Sequence, residues 1–195
     1  MMDETWQFIP LGQVLTEIDR REVVEPDKTY RILGARWYAG GLYVKDVKRG
    51  AEIQAKEIFL VQRNDFVYNR LFAWKGSFAI ATDVSHGCFV SNEFPCFKID
   101  IERLDGMYLW RYFSRPAVWN EALGLSTGGT PTSRNRLKEE RFLKIRIPLP
   151  PLKEQHCIVE RIGRVDALRT LQMEVAAELD ELYSAVLDKA FRGEL

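Results

Sequence analysis

The chain has little of the chemistry that disulfides, metals or nucleophilic catalysis need: its 195 residues include 3 cysteines and 2 histidines. Cys88, Cys96 and Cys157 are odd in number and form no CxxC pair, so neither a disulfide framework nor a zinc site is expected, and they read as reduced thiols, mostly in the core. His86 and His156 lie about seventy residues apart. No Ser-His-Asp or Cys-His arrangement surrounds either, which argues against a catalytic base. His86 does sit in a Ser85-His86-Gly87 turn, from which it can touch a partner. A glycine-rich loop after a strand, the usual seat of a cofactor phosphate or nucleoside, is also missing, since Gly128-Gly129 follows no candidate strand. No cofactor and no metal are therefore expected on this chain.

Net charge is absent too. The 28 Lys and Arg balance 28 Asp and Glu, which argues against a chain that coats nucleic acid indiscriminately. No apolar run approaches a membrane span, and Met1-Met2-Asp3-Glu4-Thr5 lacks the basic-then-apolar start of a secretion signal. A soluble, cytoplasmic protein without a membrane partner is expected. What charge there is lies unevenly: residues 1–150 carry a basic surplus and 151–195 an acidic one. Within 111–146, Arg111, Arg115, Arg134, Arg136, Lys138, Arg141, Lys144 and Arg146 face only Glu121, Glu139 and Glu140.

Proline is absent from the last part of the chain, and this organises the rest. After Pro148-Leu149-Pro150-Pro151-Leu152-Lys153-Glu154-Gln155, no proline and one glycine, Gly163, occur up to Arg192. The prolines end the preceding domain and set the helix start. Some 37 helical residues make a rod of about 55 Å, longer than a globular domain of roughly 150 residues is wide. Ile158, Ile162, Val165, Leu168, Leu171, Val175, Leu179, Leu182 and Val186 form one apolar stripe along it. Leu168, Leu171, Val175 repeats eleven residues later as Leu179, Leu182, Val186, a period nearly in phase with a straight helix. A partner helix is expected, from another chain.

The proline-rich junction, Ile158-Val159 and the closing Ala190-Phe191-Arg192-Gly193-Glu194-Leu195 resemble the specificity subunit of type I restriction–modification enzymes. Weaker similarity runs upstream through Tyr68-Asn69-Arg70, Val90-Ser91-Asn92-Glu93-Phe94 and Ser126-Thr127-Gly128-Gly129. That family usually carries two target-recognition domains and two helical regions in tandem, whereas this chain has one of each. The resemblance implies an α+β fold: a compact mixed α/β DNA-recognition domain over 1–150 and a long dimerising helix over 151–195, paired as an antiparallel coiled coil. It also implies two partners, a methylation subunit that binds S-adenosylmethionine and methylates adenine N6, and a motor-nuclease restriction subunit. The catalytic Asn/Asp-Pro-Pro-aromatic run of an adenine methyltransferase is not on this chain, since Asn92-Glu93-Phe94-Pro95 has the letters in the wrong order.

Along the first 150 residues, 8–15 reads as a short opening helix with Pro10 at its start, and Arg20-Arg21-Glu22 as a polar loop. Stretches 30–33, 42–47, 58–61, 66–68, 78–81 and 94–99 are candidate strands, separated by glycine and Asn-Asp turns. Two short helices, 107–113 and 117–123, flank Pro116, and 142–147 reads as a last strand.

Aromatics interleaved with bases mark a candidate DNA surface: Arg36, Tyr38, Tyr43, Arg70 and Lys75, with His86 nearby in type. The stretch 126–136 adds Thr127, Thr130, Ser133, Arg134, Asn135 and Arg136, followed by Lys138. Hydroxyls and backbone amides suit phosphate oxygens, while Arg and Asn have the bidentate geometry that reads guanine and adenine edges. Two other readings stand beside this one. Asp27, Asp46 and Lys48 superficially match the carboxylate pair and lysine of a Mg²⁺-dependent nuclease, and the long helix alone fits a coiled-coil scaffold without a nucleic-acid role.

Overall fold

The computed structural model describes residues 6–128 and 135–194. By its contacts the chain forms two units, Met1–Gln155 and His156–Leu195. Along the first unit run β1 (Gln7–Pro10), β2 (Leu15–Ile18), β3 (Arg21–Val23), β4 (Thr29–Ala35), β5 (Leu42–Arg49), β6 (Glu57–Leu60), β7 (Phe66–Tyr68), β8 (Phe78–Ile80), β9 (Phe89–Val90) and β10 (Cys96–Ile99). Helices α1 (Gly106–Phe113), α2 (Pro116–Leu125) and α3 (Glu139–Phe142) follow, then β11 (Arg146–Leu149). The last helix, α4 (Leu152–Arg192), begins in the first unit and makes up nearly all of the second.

Among the described residues the strands make three sheets, ordered β1-β11, β2-β10-β7-β8 and β3-β6-β9-β4-β5. All pairings are antiparallel except β4 with β9. The core of the four-stranded sheet is aromatic. Phe66, Tyr68, Phe78 and Phe97 from its strands meet Phe113 of α1 and Phe142 of α3, with Tyr68 and Phe142 centroids 4.6 Å apart and Phe78 and Phe113 4.5 Å apart. Rings of this size supply large buried area, and tilted packing suits their quadrupoles. The buried Tyr68 hydroxyl still finds a partner, donating to the Leu137 carbonyl at 3.0 Å. Burial pushes its ionisation upward. A second, aliphatic core of Leu33, Val61, Val67, Val90 and Cys96 joins this sheet to the five-stranded one.

The opening helix expected over 8–15 does not form. Phe8 and Ile9 pair with Pro148 and Ile147, and a single 3-10 turn, Leu11–Gln13, leads into β2. Pro148 is tolerated there because β1-β11 is a two-stranded ribbon whose every strand has a free side. Arg21 and Glu22 belong to an edge strand, opposite Phe59 and Ile58. The expected strand over 142–147 splits, because Phe142 turns into the aromatic core at the end of α3 and the alternation only starts at Ile145. The two helices flanking Pro116 are found. Asp105 caps the first by accepting from the Tyr108 N–H at 2.7 Å, and Pro116 opens the second.

Helix α4 runs 41 residues, about 60 Å at the usual rise. Its first turn is tied down by Gln155, which is fully buried. The side-chain oxygen accepts from the Asp105 N–H, and its nitrogen donates to the Arg103 and Pro150 carbonyls, each at 2.8 Å. The other end stops at Gly193, whose φ of +70° suits glycine. There Gly193 N–H returns to the Ala190 carbonyl and Glu194 N–H to Lys189, the two bonds of a Schellman cap. Val165, Leu168, Leu171, Val175, Leu179, Leu182 and Val186 are all exposed along the rod, and nothing else in the second unit covers the stripe.

Candidate nucleic-acid interface

The β4-β5 hairpin brings the first group of sequence-predicted residues together. At its tip the Arg36 N–H donates to the Gly41 carbonyl, and Tyr38 and Ala39 take φ of +58° and +55°. Left-handed backbone is costly for residues that carry a Cβ, so the surroundings must hold it. They do so through two short backbone bonds, Tyr38 N–H to the Lys75 carbonyl at 2.8 Å and Ala39 N–H to Gly76 at 2.7 Å. Gly76 is required at that point: its φ is +72°, and a Cβ would lie 2.4 Å from the Trp119 ring.

The tip is therefore tied to the 75–76 turn, and it is aromatic and basic. The Arg36 guanidinium stands 4.7 Å over the Tyr43 ring, and the Lys75 ammonium 3.7 Å over Trp37. Trp37 packs on Phe72 and Tyr38 on Trp119, yet the two residues remain 43% and 68% exposed. Rings so exposed on a fixed turn present apolar faces to a partner. Arg36, Tyr38 and Tyr43 also line one open groove of about 570 Å³ with Asn69, Phe72 and Phe94.

The second group gathers around the stretch 126–136. Thr127 and Arg136 exchange backbone hydrogen bonds, both 2.9 Å, as an isolated antiparallel bridge. Thr127 and Lys138 are exposed, while Asn135 is buried. Thr130, Ser133 and Arg134 lie outside the described residues. This bridge is joined to the hairpin region through the 69–70 turn: Leu137 N–H donates to the Arg70 carbonyl and Arg70 N–H to Glu93, next to the groove residues Asn69 and Phe94.

Arg70 and Arg136 are engaged within the protein. Arg70 pairs with Glu139 and also reaches the Asn92 carbonyl, and Arg136 pairs with Glu93. The second Glu93 oxygen, Oε2, is buried without a hydrogen-bond partner. Glu17 adjoins this network. Burial, then the Glu139 and Asp19 carboxylates, hold its pKa above the ordinary carboxylate value, with Arg70 opposing. Several bases of the 111–146 region also serve the fold: Arg115 lies over Tyr112 and donates to its carbonyl, and Arg141 donates to Leu125. His86 is exposed on a separate turn, where its Nδ1 accepts from the Arg63 N–H at 3.2 Å.

The nuclease residues do not converge. Asp46 and Lys48 form an ion pair of 3.6 Å on β5, and Asp46 lies opposite Ile32. Asp27 lies in the turn before β4, whereas Ile32 is three residues into the strand from Thr29, about 10 Å further along it. Among the described residues, no group of three or more His, Cys, Asp or Glu could hold a metal ion. No helix among them is long and apolar enough to cross a membrane.

Comparison with known proteins gives one consistent result. Residues 3–181 match the family described as the type I restriction modification DNA specificity domain. A 97-residue stretch, 48% of the chain, is 31% identical to the Type I restriction enzyme EcoDI specificity subunit of Escherichia coli and covers 21% of that protein. The fold matches the crystal structure of the HsdS subunit from Thermoanaerobacter tengcongensis with a TM-score of 0.72 at 19% identity, over 92% of this chain and 48% of that one. A chain from a type I R-M system structure, devoted to complex assembly and conformational transition, matches with a TM-score of 0.66 at 22% identity, over 100% of this chain and 48% of the other. The chain thus spans about half the length of these solved relatives.

Proposed function

The chain belongs to the type I restriction modification DNA specificity domain family, and we propose that it is a non-catalytic recognition module that reads one half of a bipartite duplex DNA target. The observation that carries this reading is the family match along residues 3–181, in a domain whose β4-β5 hairpin brings Arg36, Tyr38 and Tyr43 onto one surface with Lys75 of the adjoining turn. Bases there meet phosphates, while exposed aromatics and hydroxyls meet sugar and base edges. In this reading the protein works in the cytoplasm and directs a methylation subunit, which carries S-adenosylmethionine, and a motor-nuclease restriction subunit.

Two copies join through the stripe on α4, as an antiparallel pair, to supply two recognition domains. The exposure of Leu168, Leu171, Val175, Leu179, Leu182 and Val186 supports this, because apolar surface of that extent on a helix normally finds a partner. A two-fold assembly reads a palindromic target. The test is selection of duplexes by the purified chain from a randomised pool. Recovery of one bipartite sequence is expected, with neither cleavage nor methylation when Mg²⁺ and S-adenosylmethionine are added. Recovery of no sequence, or cleavage abolished by Asp46→Ala, would overturn the reading.

A further inference from the structure

The groove beside the hairpin tip has a composition that narrows what can occupy it. Its volume, about 570 Å³, falls within the ordinary range of ligand sites. It is broadly open to solvent, as a ligand that stays attached to a polymer requires. Its walls are largely aromatic, with Tyr43, Phe72 and Phe94 among them. The faces of Tyr43 and Trp37 already carry the molecule's own cations, Arg36 and Lys75, so a cationic occupant is repelled.

The polar groups point the same way. Asn69 is buried, and its Oδ1 accepts from the Leu71 N–H at 2.9 Å, which leaves the amide nitrogen as its remaining donor. A side-chain amide on a groove wall matches the hydrogen-bonding edge of a planar heterocycle. Lys45, exposed on β5, and Arg36 line the same groove and suit a phosphate attached to that ring. Tyr38 also lines it, on backbone held in the left-handed region by bonds to Lys75 and Gly76. Such conformations persist where the surroundings over-determine them, and they cluster at ligand clamps.

We infer that this groove receives one nucleobase drawn out of the bound duplex, with the Tyr38 ring at its rim filling the space left in the stack. The inference rests on the DNA-recognition reading above and adds a base-extrusion step to it. Unstacking has a cost, and contacts of the base with Phe72, Phe94 and the Asn69 amide offset it.

The experiment uses the full chain and the duplex recovered by selection from a randomised pool. Each base pair of that duplex is replaced in turn by a mismatch, and the affinity is measured. A mismatch at a directly read pair weakens binding, by roughly tenfold or more. At the extruded position it strengthens binding by about tenfold, because the pair no longer has to be broken. Lys45→Ala alters an exposed strand position and should melt as the native chain does; Tyr38→Gly relieves the left-handed backbone but gives up the ring's packing on Trp119, so its melting is measured alongside. Both should lose the gain at that position, and Lys45→Ala, which lies outside the surface assigned to recognition, should still select the same sequence. If mismatches weaken binding everywhere, the groove takes no base and the recognition reading stands. A gain that survives in both variants places the extruded base elsewhere and overturns the assignment. If no duplex is recovered at all, the recognition reading fails and this inference falls with it.

Discussion

Changing Leu171 and Leu179 together to Asp should separate two copies of the chain without unfolding either recognition domain. The two side chains are 56% and 59% exposed on the isolated helix. Fully burying a Leu is worth about 2 kcal/mol, so covering what remains exposed is worth about 1 kcal/mol for each. A two-fold pair contains four such side chains, and losing them removes about 4 kcal/mol, close to a thousandfold in dissociation constant. Burying the introduced carboxylates adds a further penalty, so the loss is a lower bound. Sedimentation equilibrium measures this directly: the native chain should be dimeric at micromolar concentration and the variant monomeric. The aromatic core of the first unit contains neither residue, so the variant's near-ultraviolet dichroism should match that of the native chain. A native chain that sediments as a monomer, or a variant that stays dimeric, would refute the assignment of the stripe.

Three further outcomes are expected. Gln155→Leu strands the Asp105 N–H and the Arg103 and Pro150 carbonyls, and at roughly 1 kcal/mol or more for each unsatisfied group it should destabilise the domain by about 3 kcal/mol in urea unfolding; an unchanged midpoint would mean that water replaces the amide. Glu17 has a carboxyl held above its ordinary value of 4.5, so its contribution to stability is full below that value and declines as pH rises through the raised folded value. Glu17→Gln should therefore melt above the native chain at pH 7 and level with it at pH 4; the reverse order would show that Arg70 dominates its surroundings. Arg134→Ala and Arg136→Ala should both weaken DNA binding, the loss of a phosphate contact lowering the salt slope by about one and the loss of a base contact costing roughly 1–3 kcal/mol at one position. Because Arg136 also pairs with Glu93, its variant is best compared with Arg136→Ala carrying Glu93→Gln, and unchanged binding in all three would remove the loop from the interface.

Local pattern made much of this fold legible. The β-branched and aromatic runs at 30–33, 42–47, 58–61, 66–68 and 78–81 form strands because such side chains fit a pleated sheet, Phe66–Tyr68 being buried on both faces. The long helix was evident from its composition, and its end from Gly193 and the terminal motif. What escaped depends on distant partners. Residues 7–10 are extended because 146–149 pair with them, and Arg21–Val23 because Glu57–Leu60 supplies the ladder; neither stretch declares a partner so far away. The two-residue strand Phe89–Val90 is too short to show a period.

The candidate site divides along the same line. Pairing bases with aromatics close in sequence located the hairpin tip, because Arg36 and Tyr43 face each other across one turn. The role of Arg70 was not legible, since its partner Glu139 lies 69 residues on. Nor was that of Arg136, whose partner Glu93 is 43 residues back. Asn69 and Phe94 carried no signal beyond the short motifs containing them, and their place in the groove follows only from the fold. Gln155 stood in the junction motif without a stated task. Its three hydrogen bonds show that the residue after Pro150-Pro151-Leu152-Lys153-Glu154 anchors the start of the helix.

The measurement that bears most directly on the central claim is methylome sequencing of cells carrying this gene together with its genomic neighbours. A recognition module used in two copies predicts one new methylated motif with two half-sites that are inverted repeats, separated by a fixed spacer. A contiguous motif, or no new methylation with the neighbouring subunits expressed, would contradict DNA recognition by this chain. A bipartite motif with unrelated halves would contradict the two-fold assembly and assign the second half-site to another chain.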